Sequence, residues 1–95
     1  MAALSDAEIQ QRLAGAGEWQ LGDDQQSIVR ELKFDDFAAA IAFVDRVAEL
    51  AEQANHHPDI LVHGWNKVRL SLSTHSEGGL TEADFRLAAE LDRLA

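Results

Sequence analysis

The chain contains no cysteine. Disulfides, thiolate metal sites and cysteine nucleophiles are therefore excluded. Basic residues are scarce as well: eight Lys and Arg stand against seventeen Asp and Glu, for a formal charge of −9, and they form no run. Nucleic-acid binders commonly present a basic face that displaces counterions from phosphate, so neither DNA nor RNA is an expected partner. The same balance argues against an anionic membrane surface. No apolar stretch approaches the roughly 20 residues of a membrane-spanning helix. The opening Met1–Ala2–Ala3–Leu4–Ser5–Asp6 lacks the basic and long apolar regions of a secretory signal, and the expected setting is cytoplasmic. Proline occurs once, at Pro58.

Apolar residues make up 46% of 95 positions, enough for one domain with its own core, taken as 1–95. A core of this size stabilises only modestly, which favours oligomerisation. Ser5 and Glu8 have capping-box spacing, and Ile9, Leu13 and Ala16 recur at helical intervals, predicting a first helix over about 5–15. Trp19–Gln20–Leu21 and the alternating Ile28, Leu32, Phe34 read as two strands joined by a polar turn at Gly22–Asp23–Asp24, with Arg30 breaking the apolar parity.

Asp35 or Asp36 is placed to cap a long helix that runs to residue 54. Phe37, Ile41, Val44, Ala48 and Ala51 form one stripe, and Phe43, Val47, Leu50 and Ala54 widen it beyond the usual amphipathic face. The width predicts one side on a sheet and another on a partner subunit, which a charge at Val47 should dissociate. Ile60–Leu61–Val62 is a short strand broken at Gly64, and Val68, Leu70 and Leu72 alternate with polar residues in a clear half-buried strand. Thr81 and Asp84 suggest a cap for a third helix ending near Leu94. The predicted fold is α+β: a four-stranded antiparallel sheet with three helices on one face, in the order α-β-β-α-β-β-α.

Chemistry concentrates at His56, His57 and His75. Histidine changes charge near neutral pH. Asn55 suits a left-handed helix end, and Pro58 stops the helix and holds His57 extended, so the histidine pair falls at a helix–strand junction. Glu52 lies one helical turn before His56 and is placed to meet it. A metal reading is weak, because adjacent histidines point apart and no His-Glu-x-x-His pattern is present. Ser73, Thr74 and Ser76 beside His75 lack a nucleophile elbow, and Gly78–Gly79 lacks phosphate-loop spacing. General acid–base chemistry remains, in which two imidazoles supply and remove protons. From these residues alone, catalysis and a purely structural junction both stay open.

The segments Glu52–Gln53–Ala54–Asn55–His56–His57–Pro58, Trp65–Asn66–Lys67–Val68, Leu70 to His75 and Gly78 to Asp84 resemble the pterin-4a-carbinolamine dehydratase family. The likeness extends more loosely through Gly17–Glu18–Trp19 and Phe34–Asp35–Asp36–Phe37, nearly the whole chain. It implies dehydration of a 4a-hydroxytetrahydropterin to the quinonoid dihydropterin, with no metal or organic cofactor, in tetrahydropterin recycling after an aromatic amino acid hydroxylase. By that resemblance His56, His57 and His75 are catalytic, Glu52, Asn55, Ser73 and Thr74 bind substrate, and a homodimer or homotetramer forms through helix 36–54. The division of labour among the histidines is not set by it. The alternative on the same fold is a non-catalytic dimerisation or coactivator-type protein-binding module. Two departures stand out: the segment Asp59 to Gly64 after the proline, where many members carry an aromatic, and Ala83, where some carry arginine before the aspartate. Asp84 is expected to cap its helix rather than touch substrate, and His63 to be an ordinary strand residue.

Overall fold

A computed structural model describes residues 2–95. Helix α1 (Asp6–Ala14) starts at the predicted capping box, in which Ser5 Oγ accepts from the Glu8 amide and Glu8 Oε1 accepts from the Ser5 amide. Strands β1 (Gln20–Leu21) and β2 (Ile28–Lys33) form the first hairpin. Its turn is held by Asp24, which accepts from the Gln26 amide and the Ser27 hydroxyl, both at 2.9 Å. Gly22 is required there, since a Cβ would lie 2.4 Å from Ser27 Oγ.

Helix α2 (Phe37–Ala54) is capped by Asp36, whose carboxylate accepts from the Ala39 amide at 2.7 Å. Asn55 ends it in the left-handed conformation, φ 51°. Strands β3 (Asp59–His63) and β4 (Lys67–Leu72) follow, then a one-turn 3-10 helix at His75–Glu77 that the alternation did not predict, and helix α3 (Glu82–Asp92). The sheet order is β1-β2-β4-β3, with every neighbouring pair antiparallel. The expected α+β architecture is the one observed.

Alternation decides which side of the sheet the helices cover. Ile28, Val68, Leu70 and Leu72 are buried beneath Ala40, Phe43 and Val47 of α2 and Leu87, Ala88 and Leu91 of α3, while Ile9 brings α1 into the same core. Arg30 shares the covered parity because Asp92, at the end of α3, receives it at 2.5 Å and also accepts from Trp19 Nε1 at 2.8 Å. The opposite side of the sheet is open and polar. There Glu31 accepts from Arg69 Nε at 2.7 Å and pairs with His63 Nε2 at 2.9 Å. These two contacts, His63 first, hold the Glu31 carboxyl below its ordinary value against a smaller desolvation effect.

The buried stripe of α2 is Ala40, Phe43, Val47 and Ala51. Of the wider apolar face read from the sequence, Ala48 and Ala54 are exposed in the single chain, and Phe37 is 54% exposed. Val47 is fully buried, so a glutamate there would break the core rather than test an interface. Ile41 and Val44 are half-buried and continue from Phe37 along a second apolar face of the helix.

Candidate active site

The junction after α2 is built by one backbone reversal. Asn55 turns left-handed, and the His56 amide donates back to the Ala51 carbonyl at 3.1 Å. The reversal changes which side chains meet. Glu52 does not reach His56; its Oε2 contacts His57 Nε2 on the exposed surface. The helical i to i+4 relation fails because His56 lies beyond the helix, where the left-handed step swings its ring toward α3.

His56 instead meets Asp84, with Nε2 2.6 Å from Oδ1. Asp84 is completely buried. Its Oδ2 accepts from the Thr81 amide and from Thr74 Oγ1, both at 2.9 Å, and Thr74 Oγ1 lies 2.9 Å from Thr81 Oγ1. Asp84 is the helix cap that its spacing suggested, and it is also the partner of a candidate catalytic histidine. A carboxylate offers acceptors only. With Asp84 ionised and the imidazole neutral, Nε2 of His56 is the donor and Nδ1 carries the lone pair.

His75 opens the 3-10 turn on the surface, 3.3 Å from Ser73 Oγ. It is tied to His56 indirectly, since its neighbour Thr74 donates to the same aspartate. Asp84 thus joins the 55–58 junction, the end of β4 and the start of α3. The three histidines face three different partners, Asp84, Glu52 and Ser73. Asn55 contributes its backbone as the helix end. Among the described residues, no group of three His, Asp or Glu side chains converges as metal ligands would. His63 sits at the end of β3 beside Glu31, away from this cluster.

A cleft of about 380 Å³ opens beside His56, between the end of α2 and one face of α3. Gln53 and Ala54 line one wall, and Ala83, Arg86, Leu87 and Glu90 line the other. Sequence reasoning passed over Arg86 and Glu90. Their signal was the recurrence 83, 86, 87, 90, one helical stripe whose polar members share a face with Ala83 and Leu87. A larger concavity of about 600 Å³ lies on the open sheet face among Glu18, Asp23, Asp24 and Glu31. It carries no histidine, and its predominance of carboxylates suits it poorly to the chemistry at His56.

The family model described as pterin 4 alpha carbinolamine dehydratase matches residues 2–94. This chain belongs to that family. A relative from Chloroflexus aggregans named for this dehydratase is 52% identical over 94 residues, covering 99% of this chain and 98% of its own. One from Acidobacterium capsulatum is 50% identical over 94 residues, covering 99% of each. The crystal structure of a transcriptional coactivator/pterin dehydratase from Brucella melitensis superposes with a TM-score of 0.91 at 35% identity over 98% of both chains. A pterin dehydratase-like protein identified as a RuBisCO assembly factor in the alpha-carboxysome gives a TM-score of 0.68 at 29% identity, covering 82% of this chain and 89% of its own. The carbinolamine dehydratases are enzymes that eliminate water, but the fold they share also serves an assembly factor.

Proposed function

We propose that the protein eliminates water from a 4a-hydroxytetrahydropterin, with His56, His57 and His75 as its acid–base groups. The observation that carries this reading is the Asp84–His56 pair, a buried carboxylate that fixes one tautomer of an imidazole on the wall of a cleft. His56 Nδ1 removes the N5 proton. The N5–H electron pair forms the C4a–N5 double bond, the C4a–O bond breaks, and the departing hydroxyl takes a proton to leave as water. Oxidation state is unchanged overall. His57, oriented by Glu52, and His75, beside Ser73, supply the proton to the leaving group from the exposed side. Each positioned transfer typically contributes about 10²–10⁴-fold.

Thr74 and Ser73 act through their partners, Thr74 on Asp84 and Ser73 on His75, and Asn55 sets the direction of the pair. The product feeds tetrahydropterin recycling. Subunits associate through the uncovered face of α2 at Phe37, Ile41 and Val44. The deciding experiment is a carbinolamine dehydration assay on the purified chain. His57→Ala and His75→Ala should each lower the rate about tenfold or more, and full activity in the double variant would end the proposal. The assembly-factor relative motivates a second reading, a protein-binding module. Absent dehydration together with partner capture through α2 would favour it.

A further inference from the structure

We infer that the α3 wall of the cleft beside His56 is a binding site for a free α-amino acid with an apolar side chain, Arg86 taking its carboxylate and Glu90 its ammonium. The inference goes beyond the dehydration reading and does not depend on it. Of the three histidines assigned to that chemistry, only His56 borders the cleft; His57 and His75 pair with Glu52 and Ser73 instead.

Charge commitments single this place out. Among the described residues, three concavities carry an arginine on their walls. Arg69, in the open-face concavity, is bound to Glu31, and Arg12, in the crevice between α1 and α3, is bound to Glu82. Arg86, in the cleft beside His56, has no hydrogen-bond or ion-pair partner among the described residues, and neither has Glu90. The two stand four residues apart on α3, but the basic residue comes first, which is the weaker order for an i to i+4 ion pair. Both therefore face one cleft with opposite charges unmet.

That pattern selects a class of ligand. A simple anion would meet Glu90 and the repulsion of a chain with formal charge −9. A simple cation would meet Arg86. A zwitterion satisfies both and carries no net charge against the field of the chain. In an α-amino acid the nitrogen and the carboxyl carbon are about 2.5 Å apart. With a charge-assisted hydrogen bond of about 2.8 Å at each end, the span from guanidinium to carboxylate is about 8 Å. Side chains rooted about 5–6 Å apart reach that span by leaning away from each other. Ala54 of α2 and Ala83 and Leu87 of α3 supply apolar surface for the side chain of the ligand. The volume, about 380 Å³, lies near the lower end of the about 300–1,000 Å³ typical of small-molecule sites, which suits one amino acid better than a peptide.

The test titrates the full chain, by calorimetry and NMR, with L-leucine, N-acetyl-L-leucine, L-leucinamide and glycine. Leucine should bind saturably in the millimolar range or below. The other three should bind about tenfold or more weakly, since each lacks the ammonium, the carboxylate or the apolar side chain. Arg86→Gln should weaken leucine and N-acetyl-leucine about tenfold and leave leucinamide unchanged. Glu90→Gln should weaken leucine and leucinamide by a similar factor and leave N-acetyl-leucine unchanged. Ala83→Leu keeps both charges, fills the cleft and should abolish leucine binding. Leucine should also shift the ring resonances of His56, which borders the cleft. No saturable leucine binding by the parent chain, or equal affinity for leucine, N-acetyl-leucine and leucinamide, would overturn the assignment. So would leucine affinity that is unchanged in both charge variants. Dehydration is read in a separate assay: a chain that binds leucine here without dehydrating a pterin keeps the site and loses the reaction, and the converse result does the opposite.

Discussion

Replacing Asp84 by asparagine separates what that residue does for the fold from what it does for His56. Three donors converge on the carboxylate: the Thr81 amide and Thr74 hydroxyl at Oδ2, and His56 Nε2 at Oδ1. An asparagine oxygen placed at the Oδ2 position keeps the first two. Its NH2 then faces His56, which can satisfy it only by accepting at Nε2 and carrying its hydrogen on Nδ1. The cap survives, while the nitrogen that should remove the N5 proton is blocked. Hydrogen bonds to a charged group contribute about 1.5–3 kcal/mol each, and neutral ones about 1 kcal/mol. Weakening all three and losing none outright should therefore cost about 1–3 kcal/mol. At about 4–8 °C per kcal/mol for a domain of this size, the melting temperature falls by roughly 5–20 °C. The rate should fall about 10²–10⁴-fold, the usual contribution of a positioned base, in protein that is still folded at the assay temperature. Stopped-flow dehydration with a parallel thermal melt measures both. A folded Asp84→Asn variant that turns over at the parental rate would refute the assignment of His56 as base through this carboxylate.

Further outcomes concern the helix face, the acid limb of stability and one strained residue. Phe37→Glu should shift the protein to a smaller species on size exclusion and leave its circular dichroism unchanged, since Phe37 is 54% exposed in the single chain; Val47→Glu, at a fully buried position, should unfold it. Carboxyls at Glu8, Asp24 and Glu31 lie below their ordinary values through bonds to Ser5, the Gln26 amide and His63 respectively. Their contribution is present above the ordinary carboxylate range and is lost as pH falls through the lowered values, so denaturant melts should show stability dropping below about pH 4.5, and Glu31→Gln should flatten part of that limb. Trp65 is 63% exposed and holds φ at 56°, a conformation costing about 1–2 kcal/mol for a residue with a side chain. Trp65→Gly should therefore stabilise by about 0.5–1 kcal/mol after the flexibility of glycine is offset, seen as a rise of a few degrees in the melting temperature.

Local signals carried much of the architecture. Ser5 with Glu8, and Asp36, mark helix starts by chemistry confined to a single turn, and the Val68–Leu70–Leu72 alternation assigns faces whatever the strand pairs with. Asn55 and Pro58 likewise announce the break that presents the histidines. The site's wiring was less legible because it depends on approach between distant segments. Glu52 looks paired with His56 until the left-handed step at Asn55 turns the chain, and the attachment of His56 to Asp84 spans 28 positions. Arg30 seemed a flaw in an apolar face, since Asp92, its partner, is 62 residues away. The histidine roles and substrate contacts came from likeness to a family, because no spacing rule connects three imidazoles with a pterin.

The carboxylate that holds the first turn of α3 also holds His56 and Thr74, so local fluctuation and competence for chemistry share one equilibrium. Opening that turn releases the imidazole; a ligand that engages the imidazole must in turn suppress the opening. Amide hydrogen exchange at Thr81 and Asp84 becomes a reporter of occupancy several ångströms away, slowing in proportion to saturation while exchange at the α1 cap stays constant. Heating should act in the reverse sense. Wherever heat opens that turn, the imidazole loses its orienting carboxylate, and activity falls with the turn rather than with the sheet.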